Sequence, residues 1–590
     1  MKTKLIFLVI MLCSSNMLWA QHIFPKDAWG VYSWGNYHPK YINKKQAPEI
    51  KGAPLILNWR KLEPENGVFK FDEQIGEKLL KLEEENLYTH LMVWVAFSTK
   101  RVTESDTTWA FTPKWIFDNG VPLVSFDPRP NPFGETVSYY FPYYLDANYK
   151  YYFHRLIHAM GEYVLSLPPH LRKRILFLQS AEGSTGDGQP YKGKPHNSQY
   201  KISKEQWSKF RIETWETYVD AFSKEGELQI PILTNYDTNR EVEYKWILNH
   251  LPKAIGLKNG MFSHGYHISD AQQRLEEFKG FQSKVEEQGK VFFSRGEQDQ
   301  EYKTYGWSTK NIPQGFYWSA LYATHCGLSL WNIPKSACID EKNFEAFRTF
   351  NRYAAQVHPT SADYAFCALR RGLDVSDTNS FPEEIYGKSL KSNQERYIKI
   401  AKAFEAFGAH MGDPSKAIKG GMINRKRQDY NDAGWKILKG NYERHLNQIN
   451  PEETSIAWWN IDKSIYGRFA RGFDYKSGKN TMYFDLIDDF FGKNRNSIKN
   501  NINLKIIYFS DDGGKWELKY HDVEGNMQTA CEVTNIKGQG WQTKNVIINN
   551  AALQNGGKHG ADFILENKGK TNCRFHMIEV DKSKVEYVEM

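Results

Sequence analysis

Between Trp29 and His358 the chain alternates eight short, almost wholly apolar runs with longer amphipathic ones. The apolar runs are Trp29–Trp34, Pro54–Trp59, Thr89–Ala96, Arg174–Ser180, Ile230–Asn235, Gly260–Tyr266, Lys290–Ser294 and Gly327–Trp331. Short runs without polar alternation are expected of strands buried on both faces, as in a parallel sheet covered by helices. The segments between them include Asp72–Glu85, Tyr151–Ser166, Lys204–Lys224, Asp270–Glu287 and Gln314–His325, which carry the helical period. Eight strand–helix units predict a (β/α)8 barrel, the TIM-barrel architecture. The rival is an open doubly wound sheet. It is weakened because no strand runs into a phosphate loop of the GxGxxG or GxxxxGK[ST] kind.

At 590 residues the chain is longer than one hydrophobic core accommodates, so at least two domains are expected. The alternation ends near His358-Pro359, a helical stretch at Asn393–Ala409 closes the first domain, and Pro414 to Gly421 breaks the pattern. Beyond it the period becomes two. Trp435–Leu438, Asn503–Tyr508 and Trp516–Tyr520 read as strands, with Asp511-Asp512-Gly513-Gly514 as a hairpin turn between the last two. This predicts a barrel over residues 21–415 and a C-terminal β-sandwich over 416–590 that either binds carbohydrate or buttresses the barrel. A long connection, Ser98 to Asn148, is rich in Pro, Phe and Tyr, and its aromatic content argues for order.

Residues 1–20 read as a secretory signal peptide: Met1-Lys2-Thr3-Lys4, an apolar run from Leu5 to Leu12, and a small residue, Ala20, before Gln21. No later segment approaches a membrane span. The chain is therefore expected to be exported, as a periplasmic, cell-surface or extracellular protein. Apart from Cys13 there are five cysteines; Cys531 and Cys573 lie in strand-like segments and either pair or remain buried thiols. No His or Cys spacing suggests a metal, and no cofactor motif is present. A net charge of +8 (77 basic, 69 acidic residues) is too dilute over this length to imply nucleic acid.

In a (β/α)8 enzyme the reacting groups stand at the C-terminal ends of the strands. Glu182 is the first charge after strand four, in Gln179-Ser180-Ala181-Glu182-Gly183, and Glu297 follows strand seven in Ser294-Arg295-Gly296-Glu297. Strands four and seven lie across a barrel mouth, where two carboxylates can flank a glycosidic bond. The plainer alternative is a rim salt bridge for each. Aromatic residues make up 15% of the chain, and Trp34, Trp59, Trp94, His264, Tyr266 and Trp331 fall at or near strand ends. Aromatic rings stack on the apolar C–H faces of sugars while polar groups fix the hydroxyls, so much of the aromatic excess is expected at the mouth. Asp187, in the Gly-rich turn after Glu182, is placed to reach substrate. Arg295 shares a strand face with Glu297, where it either keeps that carboxylate ionised or forms a structural pair.

The segment Asn58-Trp59-Arg60-Lys61-Leu62-Glu63-Pro64-Glu65-Asn66-Gly67-Val68-Phe69-Lys70-Phe71-Asp72 resembles the W-x-x-(I/L)-E-P-x-x-G-x-(F/Y)-x-(F/W)-(D/S) segment after strand two of the clan A glycoside hydrolases, and the barrel resembles the family 42 β-galactosidase-like enzymes. The resemblance implies Glu182 as acid/base, Glu297 as nucleophile and Trp331 as the aromatic floor of the sugar site. Ala181 stands where most of the clan has an Asn that contacts the sugar 2-hydroxyl, which leaves Gln179 and Asn235 as substitutes. Glu63 and Glu65 are expected to be structural. The function expected is a secreted retaining β-glycosidase without cofactor, acting on a polysaccharide or its oligosaccharides, a β-galactoside-containing and acidic or sulfated glycan first. The alternatives are an inverting enzyme using the same carboxylates, a glycan-binding protein without turnover, and an adhesive surface protein.

Overall fold

In a computed structural model, the protein is described over residues 23–95, 111–130, 136–183, 188–191, 193–235, 241–258, 271–298, 302, 311–374, 376–390, 392–405, 433–434, 440–459, 461–492 and 502–582. The chain forms two compact units. The first comprises Met1–Asn259, Phe278–Gly296 and Leu330–Ile339; the second comprises Gly260–Glu277, Glu297–Ser329 and Asp340–Met590.

The first unit is built on an eight-stranded parallel sheet: β1 (Gly30–Trp34), β2 (Leu55–Asn58), β3 (Thr89–Trp94), β4 (Ile175–Gln179), β5 (Ile232–Thr234), β6 (Ala254–Lys258), β7 (Val291–Glu297) and β8 (Leu330–Pro334). Its order is β1-β8-β7-β6-β5-β4-β3-β2. Gly52, just before β2, bridges Tyr32 on one side and Tyr88 on the other, so the sheet closes on itself as a barrel. A side chain at Gly52 would sit 1.9 Å from the Tyr88 carbonyl, which is why the closing position is a glycine.

Strand six of the sheet lies at Ala254–Lys258; the run Gly260–Tyr266 that the apolar pattern suggested lies outside the described residues. The register brings Gly256 beside Phe293, whose ring would lie 2.3 Å from an added Cβ. The strand thus gives up a side chain to admit an aromatic, and a five-residue strand with a central glycine loses its apolar signature.

The long connection after β3 contains a helix, Lys114–Asp118, and an antiparallel hairpin, Leu123–Pro130 with Thr136–Pro142. Its rings pack into the protein: Phe126 and Phe141 lie 5.1 Å apart, and both contact Tyr191. The clan-like segment after β2 is also a packing device. Glu63, fully buried, accepts hydrogen bonds from Trp59 Nε1 (3.0 Å) and the Gly67 amide (2.8 Å) and pairs with Arg155. Gly67 has φ +79°, a turn geometry that side chains resist.

The second unit is rich in antiparallel β-structure. A seven-stranded sheet holds Tyr364–Ala368, Tyr442–Arg444, Ile456–Trp459, Phe469–Gly472, Ile502–Phe509, Trp541–Ile548 and Arg574–Asp581. A five-stranded sheet holds Leu446–Ile449, Thr481–Leu486, Lys515–His521, Met527–Thr534 and Phe563–Asn567. Residues of both sheets, among them Leu504, Ile506, Trp516, Leu518, Phe563 and Phe575, share one buried cluster. Tyr364–Ala368, which precedes the boundary drawn at 415, pairs with Arg574–Asp581 near the end of the chain. The segment containing Pro414–Gly421 and Trp435–Leu438 lies outside the described residues.

Asp511–Gly514 does not close a hairpin. The strand before it belongs to the seven-stranded sheet and the strand after it to the five-stranded one. Asp512 accepts from the backbone and guanidinium of Arg574, which ties this crossing to the last strand. Cys531 and Cys573 are free thiols, as are Cys326, Cys338 and Cys367. No helix among the described residues is long and apolar enough to cross a membrane.

Two buried histidines are expected to make the second unit acid-sensitive. His576 is fully buried among Tyr317, Trp318, Tyr466 and Trp541, with Nε2 2.7 Å from the Tyr317 hydroxyl. Burial lowers the pKa of His576 to about 3, and that of His445 also to about 3. The unfolded chain protonates both below about 6.5 while the fold does not, so their contribution to stability is lost as pH falls from that value. Each is expected to cost about 1.4 kcal/mol per pH unit. Thermal melting between pH 6.5 and 5 should show a falling Tm, and His576→Gln should flatten the slope.

Candidate active site

The barrel register decides which side chains face its axis, because laterally paired residues point the same way and neighbours along a strand alternate. Phe292 packs outward on Phe278 and Phe281 of the preceding helix, so Phe293 and Arg295 face inward. Following the pairing around the sheet places Trp34, Asn58, Trp94, Gln179, Lys258, Arg295 and Asn332 on the inner face at the C-terminal ends of the strands. Below them Tyr32, His90, Phe177 and Phe293 fill the barrel; the His90 ring stacks on Phe177 at 4.7 Å. Burial, then the charge of Arg295, push the His90 pKa well below the usual imidazole range.

Arg295 is fully buried. Its Nε donates to Asn332 Oδ1 (2.5 Å), and its guanidinium lies 4.4 Å from the centre of the Trp34 ring. Glu297 ends β7 two residues on, in the same phase as Arg295, and is 7% exposed. The polar atoms of the inner face that are buried without a hydrogen-bond partner among the described residues include Asn58 Oδ1, Gln179 Oε1 and Asn332 Nδ2. An orphaned buried polar atom costs about 1–3 kcal/mol, which a polar ligand can recover.

Glu182 has a different setting. Only 1% exposed, its carboxylate is held by the helix Lys204–Ala221: Trp215 Nε1 donates to Oε1 (2.5 Å) and Arg211 Nε to Oε2 (3.2 Å). Arg211 continues outward through Nη1 to Glu243 Oε2 and through Nη2 to the Asn235 carbonyl, both at 2.6 Å. Ser208 completes the group on Glu243 Oε1 (2.7 Å). The helix can present this set because Ser203 and Gln206 form a capping box at its start, and Arg211 and Trp215, four residues apart, share its buried face. Burial pushes up the phenols of Tyr149 and Tyr218, and the charge of Glu182 adds to both shifts.

Two expected platforms lie elsewhere. Trp331 pairs in register with Val31, on the face opposite Asn332, so its fully buried ring is in the outer layer rather than on the axis. Trp59 starts the helical turn after β2 and packs among Trp115, Tyr149 and Phe153. The aromatic excess is thus in large part a packing resource. His264, Tyr266 and Asp187 lie outside the described residues. Arg211, Trp215, Glu243, His90 and Asn332 were not singled out from sequence. The signal for the first pair was an Arg and a Trp spaced four apart on the helix face that also carries Trp207, Phe210 and Tyr218.

No family model and no curated protein matches the chain. Solved structures to which it is similar include the β-galactosidase of the psychrophilic Marinomonas ef1 (12% identity, 52% of this chain and 53% of that one, TM-score 0.31). Endo-glycoceramidase II of Rhodococcus sp. is matched at 9% identity, over 53% and 74% of the two chains, with a TM-score of 0.33. A family 39 glycoside hydrolase from Bacteroides cellulosilyticus WH2 is matched at 9% identity, over 92% and 82%, also at 0.33. The chain spans about half the length of the first of these. At such low similarity the chemistry has to be read from this chain's own side chains.

Proposed function

We propose that the chain is an exported retaining β-glycosidase, with its site at the C-terminal ends of the barrel strands, Glu297 as nucleophile and Glu182 as acid/base. The observation that carries the reading is the inner face itself: orphaned amide atoms of Asn58, Gln179 and Asn332 beside the Trp34 and Trp94 rings. That mixture suits sugars, whose hydroxyls need partners and whose C–H faces need a ring. Glu297 attacks the anomeric carbon while Glu182 gives its proton to the departing oxygen, leaving a glycosyl ester on Glu297. Glu182 then takes a proton from water, which displaces Glu297 with overall retention. Arg295, anchored by Asn332 and Trp34, gives the face positive charge, which agrees with an acidic or sulfated, galactose-containing glycan. The second unit is read as an appended β-sandwich.

The donors on both oxygens of Glu182 favour a second reading, in which this residue is an ion-pair partner that positions Arg211 and Asn235. Hydrolysis of a panel of aryl β-glycosides, with the anomeric form of the first product followed by NMR, tests the proposal. A β-product appearing first is expected. An α-product would mean inversion, and binding of glycans without turnover would make the chain a capture protein.

A further inference from the structure

The second unit carries a surface cleft of about 470 Å³, lined by Trp458, Tyr475, Lys476, Asp512, Lys570 and Arg574 together with Thr571 and Asn572. This is within the range of small-ligand sites. Among the described residues, those that line it all belong to the second unit. Trp458 lies on the edge strand Ile456–Trp459, and Tyr475, 39% exposed, lies in the turn after Phe469–Gly472. The turn is fixed from below: the Tyr475 amide donates to Asn572 Oδ1 at 2.7 Å. Arg574 is committed to Asp512, through Nε at 2.9 Å and through Nη2, and its guanidinium also lies 5.8 Å from the Trp458 ring centre. Those two charges cancel locally. Lys476 and Lys570 are exposed and make no ion pair among the described residues, so the cleft has two uncompensated cations beside two aromatic rings.

We infer that this cleft is a second carbohydrate site, taking an anionic saccharide that carries sulfate or carboxylate groups. The rings of Trp458 and Tyr475 offer faces for the sugar C–H surface. Lys476 and Lys570 meet its anionic substituents, and the salt-bridged Arg574–Asp512 pair holds the floor rigid. Cation and ring side by side distinguish such a ligand from a neutral glycan, which has no use for the lysines, and from inorganic phosphate, which has no use for the rings.

The test is affinity electrophoresis of the full chain in native gels containing dextran sulfate, plain dextran, or oligothymidylate. It does not depend on turnover, so failure here and failure of the glycosidase reading are separate results. Dextran sulfate is expected to retard the protein and plain dextran not to. Trp458→Ala and the double variant Lys476→Ala/Lys570→Ala should each weaken binding at least about fivefold. Tyr475→Ala, at an exposed position, serves the same purpose should Trp458→Ala fail to fold. Lys201→Ala/Lys204→Ala, which removes two exposed lysines of the barrel unit, should leave binding unchanged. The inference is overturned if dextran sulfate does not retard the wild type, if plain dextran or oligothymidylate binds as tightly, or if the barrel lysine variant loses as much affinity as the cleft variants.

Discussion

Glu297→Gln is expected to lower kcat on an aryl β-glycoside by at least about 10³-fold, because the amide cannot form the glycosyl ester. The amide is isosteric, so the fold should be retained. Added azide separates the two carboxylate roles. With the nucleophile gone, azide can occupy its place and attack the substrate directly, giving a glycosyl azide of inverted configuration. With only the acid/base gone, the ester still forms and azide opens it, giving the retained azide. Glu182→Gln should therefore give the retained product, and its loss of kcat/KM should grow as the leaving group becomes more basic and needs its proton more. A uniform loss across leaving groups, without azide rescue but with a lowered Tm, would instead assign Glu182 to the ion-pair role. Unchanged rates in both variants would remove the two carboxylates from the chemistry altogether.

Arg211→Met is expected to be the most destabilising single change in the barrel unit. Arg211, Glu182 and Glu243 are all essentially inaccessible to water, with Arg211 as the cation between two carboxylates. Removing it takes the shared cation away from two buried carboxylates, for which about 3–5 kcal/mol is typical. In a unit of this size that corresponds to a Tm roughly 5–8 °C lower. Adding Glu243→Gln should recover part of the loss, since one of the two stranded charges is then gone. A Met variant that melts with the wild type would show that the cluster does not depend on its ion pairs. Because the Asn235 carbonyl also loses its donor, the variant should raise KM as well, whatever role Glu182 has.

The barrel was legible because burial on both faces of a parallel strand leaves an apolar run that survives in one dimension. Seven of the eight observed strands overlap such runs, the eighth only at Leu330 and Trp331, and helices such as Lys204–Ala221 and Ile312–Cys326 overlap the amphipathic segments. The exception, β6, shows the limit: its Gly256 is required by a ring on the next strand, a constraint invisible in a five-residue window. Glu182 and Glu297 were both found by the same rule, as carboxylates that follow clean apolar strands. What the rule could not supply is the phase. Glu297 continues the inward phase of Phe293 and Arg295, whereas Glu182, three residues past the end of β4, is taken up by a helix side chain pair 29 and 33 residues later. Trp331 and Trp59 failed as platforms for the same reason, since one residue along a strand exchanges axis for outer layer.

By itself, the sequence determined the eight-fold strand–helix alternation, a separate β-rich segment and the position of two carboxylates at strand ends. These follow from local hydrophobic period, which each segment carries independently of the rest. Only the tertiary structure decided that Tyr364–Ala368 joins the second unit, that Asp511–Gly514 crosses between sheets, and that the aromatic residues of the long connection pack on one another. Those outcomes depend on pairing between segments far apart in the chain, where register and side-chain fit, not local period, select the partner.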